Sequence, residues 1–308
     1  MPIAFLSLLL FSGCTGNISK NNARVEQWKL VRAGGYLEDC AIDASDSLIC
    51  WGYSYEAKTV SSLPDIQDFK FGLGYLCSLT ENQLDCWDFE PEEQIFEKQE
   101  ENLGVWELPP FEDIISFDIK IQSGFAITSE QNIVGWGAFS ELLGEEKGDF
   151  VSVATGFRFA CALEEIGFVT CDYVEDEFTT YENNIPPIKF KSISAGMNQI
   201  CGISEEDELH CWGVREEYLL KPPEGKWKQV SVGGEFFGEG FERYQSDRAC
   251  AISLEGDLAC WGLEDNEEFQ PPQLDTPWEQ VSIGEFGACG LNDHELHCWG
   301  LSWKNMPQ

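Results

Sequence analysis

The stretch Cys250-Ala-Ile-Ser-Leu-Glu-Gly-Asp-Leu-Ala-Cys260-Trp261-Gly262 returns in altered form along the chain, and its reading decides the fold. Two short apolar runs flank a polar turn containing glycine, the pattern of a β-hairpin, with a cysteine opening one arm and another closing the second. Ahead of it, Trp227-Lys-Gln-Val-Ser-Val-Gly-Gly234 alternates apolar and polar residues as a half-buried strand does, then ends in glycines that turn the chain. Working outward, the hairpin recurs as Cys40 to Cys50 before Trp51-Gly52, Cys77 to Cys86 before Trp87, and Phe125 to Gly135 before Trp136-Gly137. It recurs again as Cys161 to Cys171, Cys201 to Cys211 before Trp212-Gly213, and Cys289 to Cys298 before Trp299-Gly300, which makes seven units. A period of roughly 35–50 residues marks a propeller or solenoid, in which a unit buries its apolar face only by stacking on its neighbours.

The third unit has lost both cysteines together, with Phe125 and Gly135 in their places. Paired loss is what mutually bonded sulfurs predict, so six disulfides are expected: Cys40–Cys50, Cys77–Cys86, Cys161–Cys171, Cys201–Cys211, Cys250–Cys260 and Cys289–Cys298. Zinc sites would need close pairs such as C-x₂-C, and the sequence has none. Where nine positions separate the cysteines, pairing leaves the two-residue loops Glu81-Asn82 and Asp293-His294. Where ten separate them, the last loop residue is expected to be left-handed, and it is Asp46, Gly167, Asp207 or Gly256. The two-residue period of a strand puts Leu48, Leu84, Ile133, Val169, Leu209, Leu258 and Leu296 on the cysteine face and the following Trp on the opposite face. Both faces are therefore partly apolar, as a sheet sandwiched between two others requires. Pro109-Pro110, Pro186-Pro187, Pro222-Pro223 and Pro271-Pro272 cannot continue a ladder and mark the boundaries between units. No segment sustains a helical period, so the class is all-β.

Residues 1–13 are an apolar run ending in small residues and read as an export signal. Phe11-Ser12-Gly13-Cys14 resembles the bacterial lipobox, in which the new N-terminal cysteine carries lipid. Of the 13 cysteines, twelve belong to hairpin pairs and Cys14 is the one left over. Residues 14–24 then read as a lipid-anchored tether and 25–308 as a single domain of seven repeats. Disulfides place that domain in an oxidising compartment, periplasm or cell exterior.

The formal net charge of −36, with 19 basic against 55 acidic residues, repels phosphates and excludes nucleic acid as a partner. It favours a protein partner with a basic surface. Two places break the repeat. Residues 88–104 form an acidic insertion that reads as a solvated loop. In the sixth unit, residues 235–249 lengthen a connection that the seventh unit makes with residues 285–288. Phe236, Phe237, Phe241, Arg243, Tyr244 and Arg248 give this loop the composition of an interface hot spot, and they are the candidate protein-binding residues. The three histidines, His210, His294 and His297, read as polar surface residues, with Asp293 and Glu295 beside the last two. No glycine-rich loop opens a helix and no nucleophile stands in a recognised setting, so no catalytic residue, metal or cofactor is expected.

The string Trp-x-x-Val-Ser-x-Gly, then Cys-Ala-Ile, then Cys-Trp-Gly, resembles the repeat of the regulator of chromosome condensation family over about residues 25 to 304. The resemblance implies a seven-bladed β-propeller, and the cysteine pairs resemble an exported bacterial branch. The expected function is a non-enzymatic surface or periplasmic lipoprotein acting as a protein-binding platform, touching the membrane through its lipid alone. The alternatives are a guanine-nucleotide exchange factor-like regulator, by family analogy, and a secreted hydrolase-like propeller.

Overall fold

A computed structural model describes residues 27–34, 38–52, 55–60, 66–72, 74–81, 83–90, 95–99, 102–103, 106–107, 113–144, 148–174, 184–213, 220–234, 247–262, 269–300 and 306–307. They form seven antiparallel sheets in chain order, one for each unit read in the sequence. Blade 1 is Trp28–Ala33, Glu38–Asp43, Leu48–Gly52 and Tyr55–Val60; blade 2 is Ile66–Phe71, Tyr75–Thr80, Gln83–Glu90 and Ile95–Gln99. Blade 3 is Ile114–Lys120, Ser123–Thr128 and Ile133–Gly137; blade 4 is Phe150–Thr155, Phe159–Glu164 and Val169–Tyr173. Blade 5 is Phe190–Ala195, Ile200–Ser204 and Leu209–Trp212; blade 6 is Trp227–Gly234, Asp247–Ser253 and Leu258–Trp261. Blade 7 is Trp278–Ile283, Gly287–Asn292 and Glu295–Gly300. The acidic insertion is more than a loop. Its beginning extends the third strand of blade 2 to Glu90, and Ile95–Gln99 folds back beside that strand as a fourth. Asn102–Leu103 and Trp106–Glu107 then pair as a separate ribbon. Its scattered charges hid the strand from a reading of composition.

The first strand of every blade carries the same register shift one residue in, at Lys29, Gln67, Ile115, Val151, Lys191, Lys228 and Glu279. Such a bulge leaves one residue unpaired and increases the local twist. All seven bulged residues are exposed. Each cysteine pair occupies directly opposed positions on the second and third strands, with Cα atoms 4.0–4.1 Å apart, and all six expected disulfides are formed. The hairpin turns also follow the sequence reading, since Asp46, Gly167, Asp207 and Gly256 have positive φ, as do Asp293 and His294 of a two-residue loop.

Positive φ serves the packing of one blade on the next. The carbonyls of Gly167, Asp207, Gly256 and His294 accept hydrogen bonds from the first backbone N–H of the following blade, at Phe190, Trp227, Trp278 and Trp28, over 2.8–3.0 Å. The last of these closes the ring from blade 7 to blade 1. Apolar packing follows the same order. Cys40, Ile42, Leu48 and Cys50 of blade 1 meet Phe69, Leu76 and Trp87 of blade 2. Cys250 and Ile252 of blade 6 meet Trp278, Val281 and Trp299 of blade 7. Cys289, Leu291 and Leu296 of blade 7 meet Trp28, Val31 and Trp51 of blade 1. The cystine face of each blade thus covers the tryptophan face of the next.

Contact between blades 3 and 4 departs from this rule on both sides. Blade 3 has no cystine, and blade 4 has Asp172 where the other blades place Trp. The turn at residues 138–144 fills the space, with Leu142 and Leu143 packing beside Phe125, Phe150 and Val153. Asp172 Oδ2 accepts a hydrogen bond from the Leu143 amide at 3.2 Å and holds the turn in place. Gly135 is required beneath it: a Cβ there would lie 2.4 Å from the Ser140 carbonyl oxygen and 2.9 Å from the Phe125 ring. The turn that replaces the missing tryptophan therefore also excludes a seventh cystine.

Candidate functional site

Stacked blades leave a central channel and two rims as the surfaces on which function can be placed. The seven first strands line the channel, which holds a cavity of about 210 Å³. Two residues of each first strand, the third and fifth, face the neighbouring blade or the channel. The fifth residue is serine in blades 5, 6 and 7, and each hydroxyl accepts a backbone N–H from the next blade: Ser194 from Val232, Ser231 from Ile283 and Ser282 from Ala33, all at 3.0 Å. Third-position glutamines repeat the device, Gln229 accepting from Val281 at 3.2 Å and Gln280 from Val31 at 2.9 Å.

In blades 1 to 3 the fifth residue is Arg32, Lys70 or Asp118, and a chain of charges replaces the serines. Arg32 contacts Asp68 at 2.6 Å, Lys70 lies 3.8 Å from Asp68 and 3.6 Å from Asp118, and Asp118 accepts the Thr155 amide at 2.7 Å. Among the described residues three cations, Arg32, Lys70 and Lys120, line the cavity with three carboxylates, Asp68, Asp118 and Glu285. The charges of these described residues balance, three against three. These linked charges were hidden in the sequence, but aligning the seven first strands on their third and fifth residues reveals them.

The rim at the far ends of the first strands carries the connections to the second strands. Blade 6 sends Asp247 into blade 5, where its buried carboxylate accepts the amides of Met197 at 3.1 Å and Asn198 at 2.8 Å. Burial pushes its pKa up to about 7, while those amides and the Lys120 ammonium pull in the opposite direction. Arg248 is also buried, at 2% exposure; it donates from Nη2 to the Glu285 carbonyl of blade 7 at 2.7 Å and lies 4.7 Å over the Phe269 ring. Its guanidinium belongs to the junction of blades 6 and 7, because strand pairing sets it opposite Gly233, which has no side chain to keep it from the neighbouring blade. Phe236, Phe237, Phe241, Arg243 and Tyr244 lie outside the described residues, as do Cys14 and all of residues 1–26.

No family model matches the chain, and no curated protein sequence matches it. Solved structures do. The CRINKLY WD40 ectodomain of the Arabidopsis thaliana receptor kinase ACR4 is similar over 90% of this chain and 96% of its own, at TM-score 0.65 and 21% identity. The entire ectodomain of the Physcomitrella patens receptor kinase CR4 is similar over 88% of this chain and 71% of its own, at TM-score 0.61 and 20% identity. Human WBSCR16 is similar over 82% and 80%, at TM-score 0.57 and 13% identity. The likeness is one of fold. It agrees with the seven sheets, and it carries no activity across.

The opposite rim, where the hairpin turns and bulged residues gather, contains the histidines. His294 Nδ1 lies 3.2 Å from the Glu279 carboxylate on the exposed surface. His297 stacks edge-on against Trp278 at 5.6 Å, and its pKa is lowered by burial with Glu295 opposing. His210 meets the Phe190 ring edge at 6.1 Å. Among the described residues no three metal-ligating side chains gather. This rim also shows exposed apolar side chains: Ile115 at 42%, Val151 at 41%, Ile166 at 57% and Phe168 at 44% on the adjacent blades 3 and 4, and Leu254 at 49% by itself on the turn of blade 6. In sequence the first four are scattered, Ile115 in the third repeat and Val151, Ile166 and Phe168 up to seventeen positions apart in the fourth, and only the fold brings them to one rim.

Proposed function

We propose that the chain is an exported, non-enzymatic propeller that binds a protein partner on its rims and is held at the bacterial envelope by lipid on Cys14. The observation that carries this reading is the construction of the blades. Six cystines and the cross-blade hydrogen bonds commit both faces of each sheet to neighbouring blades, so the surface free to vary is the rims. Rim loops on such a scaffold keep fixed positions, which lowers the ordering cost of binding. The disulfides support an oxidising compartment. Charge supports the class of partner, because a molecule at −36 attracts basic surfaces and repels nucleic acid.

The test is retention of envelope proteins by the immobilised propeller domain. One basic protein should be retained saturably, displaced by excess soluble propeller and lost when the disulfides are reduced. Failure to retain any protein saturably, together with turnover in a panel of hydrolase substrates, would replace this reading with the enzyme. Nucleotide release from a small GTPase would replace it with the exchange factor. For the anchor, a fatty-acid probe should label the wild type and not Cys14→Ser.

A further inference from the structure

The turn rim of blades 3 and 4 differs from that of the other blades, and the repeat itself supplies the control. The bulged position holds Lys29, Gln67, Lys191, Lys228 and Glu279 in five blades, but Ile115 and Val151 in the adjacent blades 3 and 4. Ile166 of the blade 4 turn corresponds to Ser45, Glu130, Glu206 and Glu255 in the other turns of the same length, and Phe168 corresponds to Ser47, Asn132, Glu208 and Asp257. Polar residues evidently satisfy the fold at these positions. The apolar ones do not serve the core either, since all four are among the exposed large hydrophobics.

Backbone geometry joins them into one patch. The first strands of blades 3 and 4 pack side by side, bringing the two bulges to the same rim. The Glu165 amide donates to the Asp149 carbonyl at 2.8 Å, which places the Ile166 turn beside the start of the strand bearing Val151. Phe168 lies two residues further, its ring 5.9 Å from the Lys189 ammonium. Around the patch stand the exposed carboxylates of Asp113, Glu130, Asp149 and Glu165, none of them in an ion pair among the described residues. The Ser129 amide bonds to the Asp113 carbonyl at 2.6 Å, setting Asp113 and Glu130 at the same end of blade 3. An apolar centre with a rim of unpaired acids is complementary to a segment that is apolar on one side and cationic on the other.

From this arrangement we infer that the turn rim of blades 3 and 4 is a docking surface for a cationic amphipathic polypeptide segment. The aliphatic and aromatic side chains of the segment cover Ile115, Val151, Ile166 and Phe168, and its lysines and arginines meet the four carboxylates. The inference rests on the protein-binding reading and adds to it the rim, the blades and the chemistry of the partner.

The probe is a fluorescein-labelled amphipathic peptide of leucine and lysine, compared with an equally charged peptide of serine and lysine, with binding followed by anisotropy. Replacements come from the protein's own repeats: Val151→Gln, Ile166→Ser and Phe168→Ser together, all without change of charge. The leucine peptide is expected to bind the wild type and to lose about tenfold or more in affinity on the triple variant, with the thermal midpoint kept. Combining Glu130→Gln, Asp149→Asn and Glu165→Gln should reduce the salt dependence of binding and leave the fold intact; this second variant decides the matter if the first unfolds. Equal binding of the serine peptide, or undiminished affinity in the folded variants, would overturn the site. Envelope protein still retained by those variants would leave the platform reading standing with its contacts elsewhere.

Discussion

Asp247 and Gly135 show how single residues tie blades together. Asp247 lies three positions before Cys250, where nothing in its spacing distinguishes it from many other acids. Its importance comes from the amides of blade 5, which only the fold brings to it. Because burial raises its pKa to about 7, the folded chain holds this proton more tightly than the unfolded chain does. Its contribution is therefore most favourable below the unfolded carboxyl value, and stability falls as pH climbs from about 4 to about 7, then levels. Thermal midpoints of the wild type should decline between pH 5 and pH 8 relative to Asp247→Asn; parallel profiles would show that the carboxyl titrates elsewhere. The loss of the third cystine was legible, since Phe125 and Gly135 replace both partners at once. Its cause was not, because it lies in the path of the turn at residues 138–144. Gly135→Ala should cost about 1–3 kcal/mol by overpacking against the Ser140 carbonyl. Unchanged denaturant midpoints would mean that the turn shifts freely.

At the level of the blade, the two-residue period was enough to assign both faces, and the seven apolar clusters follow it. Cysteine, leucine and tryptophan are legible because apolar alternation is a property of local sequence. The serines and glutamines that reach across to the next backbone were not, because a hydroxyl facing a neighbouring strand looks in sequence like one facing water. Ser231→Ala leaves the Ile283 amide without its 3.0 Å acceptor in a part-buried setting, and such a loss costs about 1–3 kcal/mol. Ser231→Ala and Ser282→Ala act at successive junctions, so the double variant should lose roughly the sum. Chemical denaturation measures both, and a neutral double variant would show that packing alone holds the blades. The fourth strand of blade 2 was missed for a related reason. Edge strands are commonly charged and short, and Ile95–Gln99 bears glutamate, lysine and glutamine where a central strand would be apolar.

For the whole molecule, counting seven hairpins anticipated seven blades, and the linkage between neighbours explains why the ring closes without exchange of a strand among the described residues. Trp28, Val31 and Ala33 of blade 1 donate to His294, Gln280 and Ser282 of blade 7, so closure uses the same contacts as the junction of blades 6 and 7. Length singled out residues 235–249 in the sequence, but residues 235–246 lie outside the described residues, and the apolar patch of blades 3 and 4 emerged from the fold alone. The central claim is that each blade except the third is stapled by its own cystine and that the chain acquires those bonds in an oxidising compartment. Peptide mapping under non-reducing conditions, on protein isolated with alkylation from the cells that make it, tests this directly. Six linked peptide pairs are expected, each joining the two strands of one hairpin, with no cysteine of the twelve alkylated. Free thiols throughout, or a bond between different blades, would contradict it.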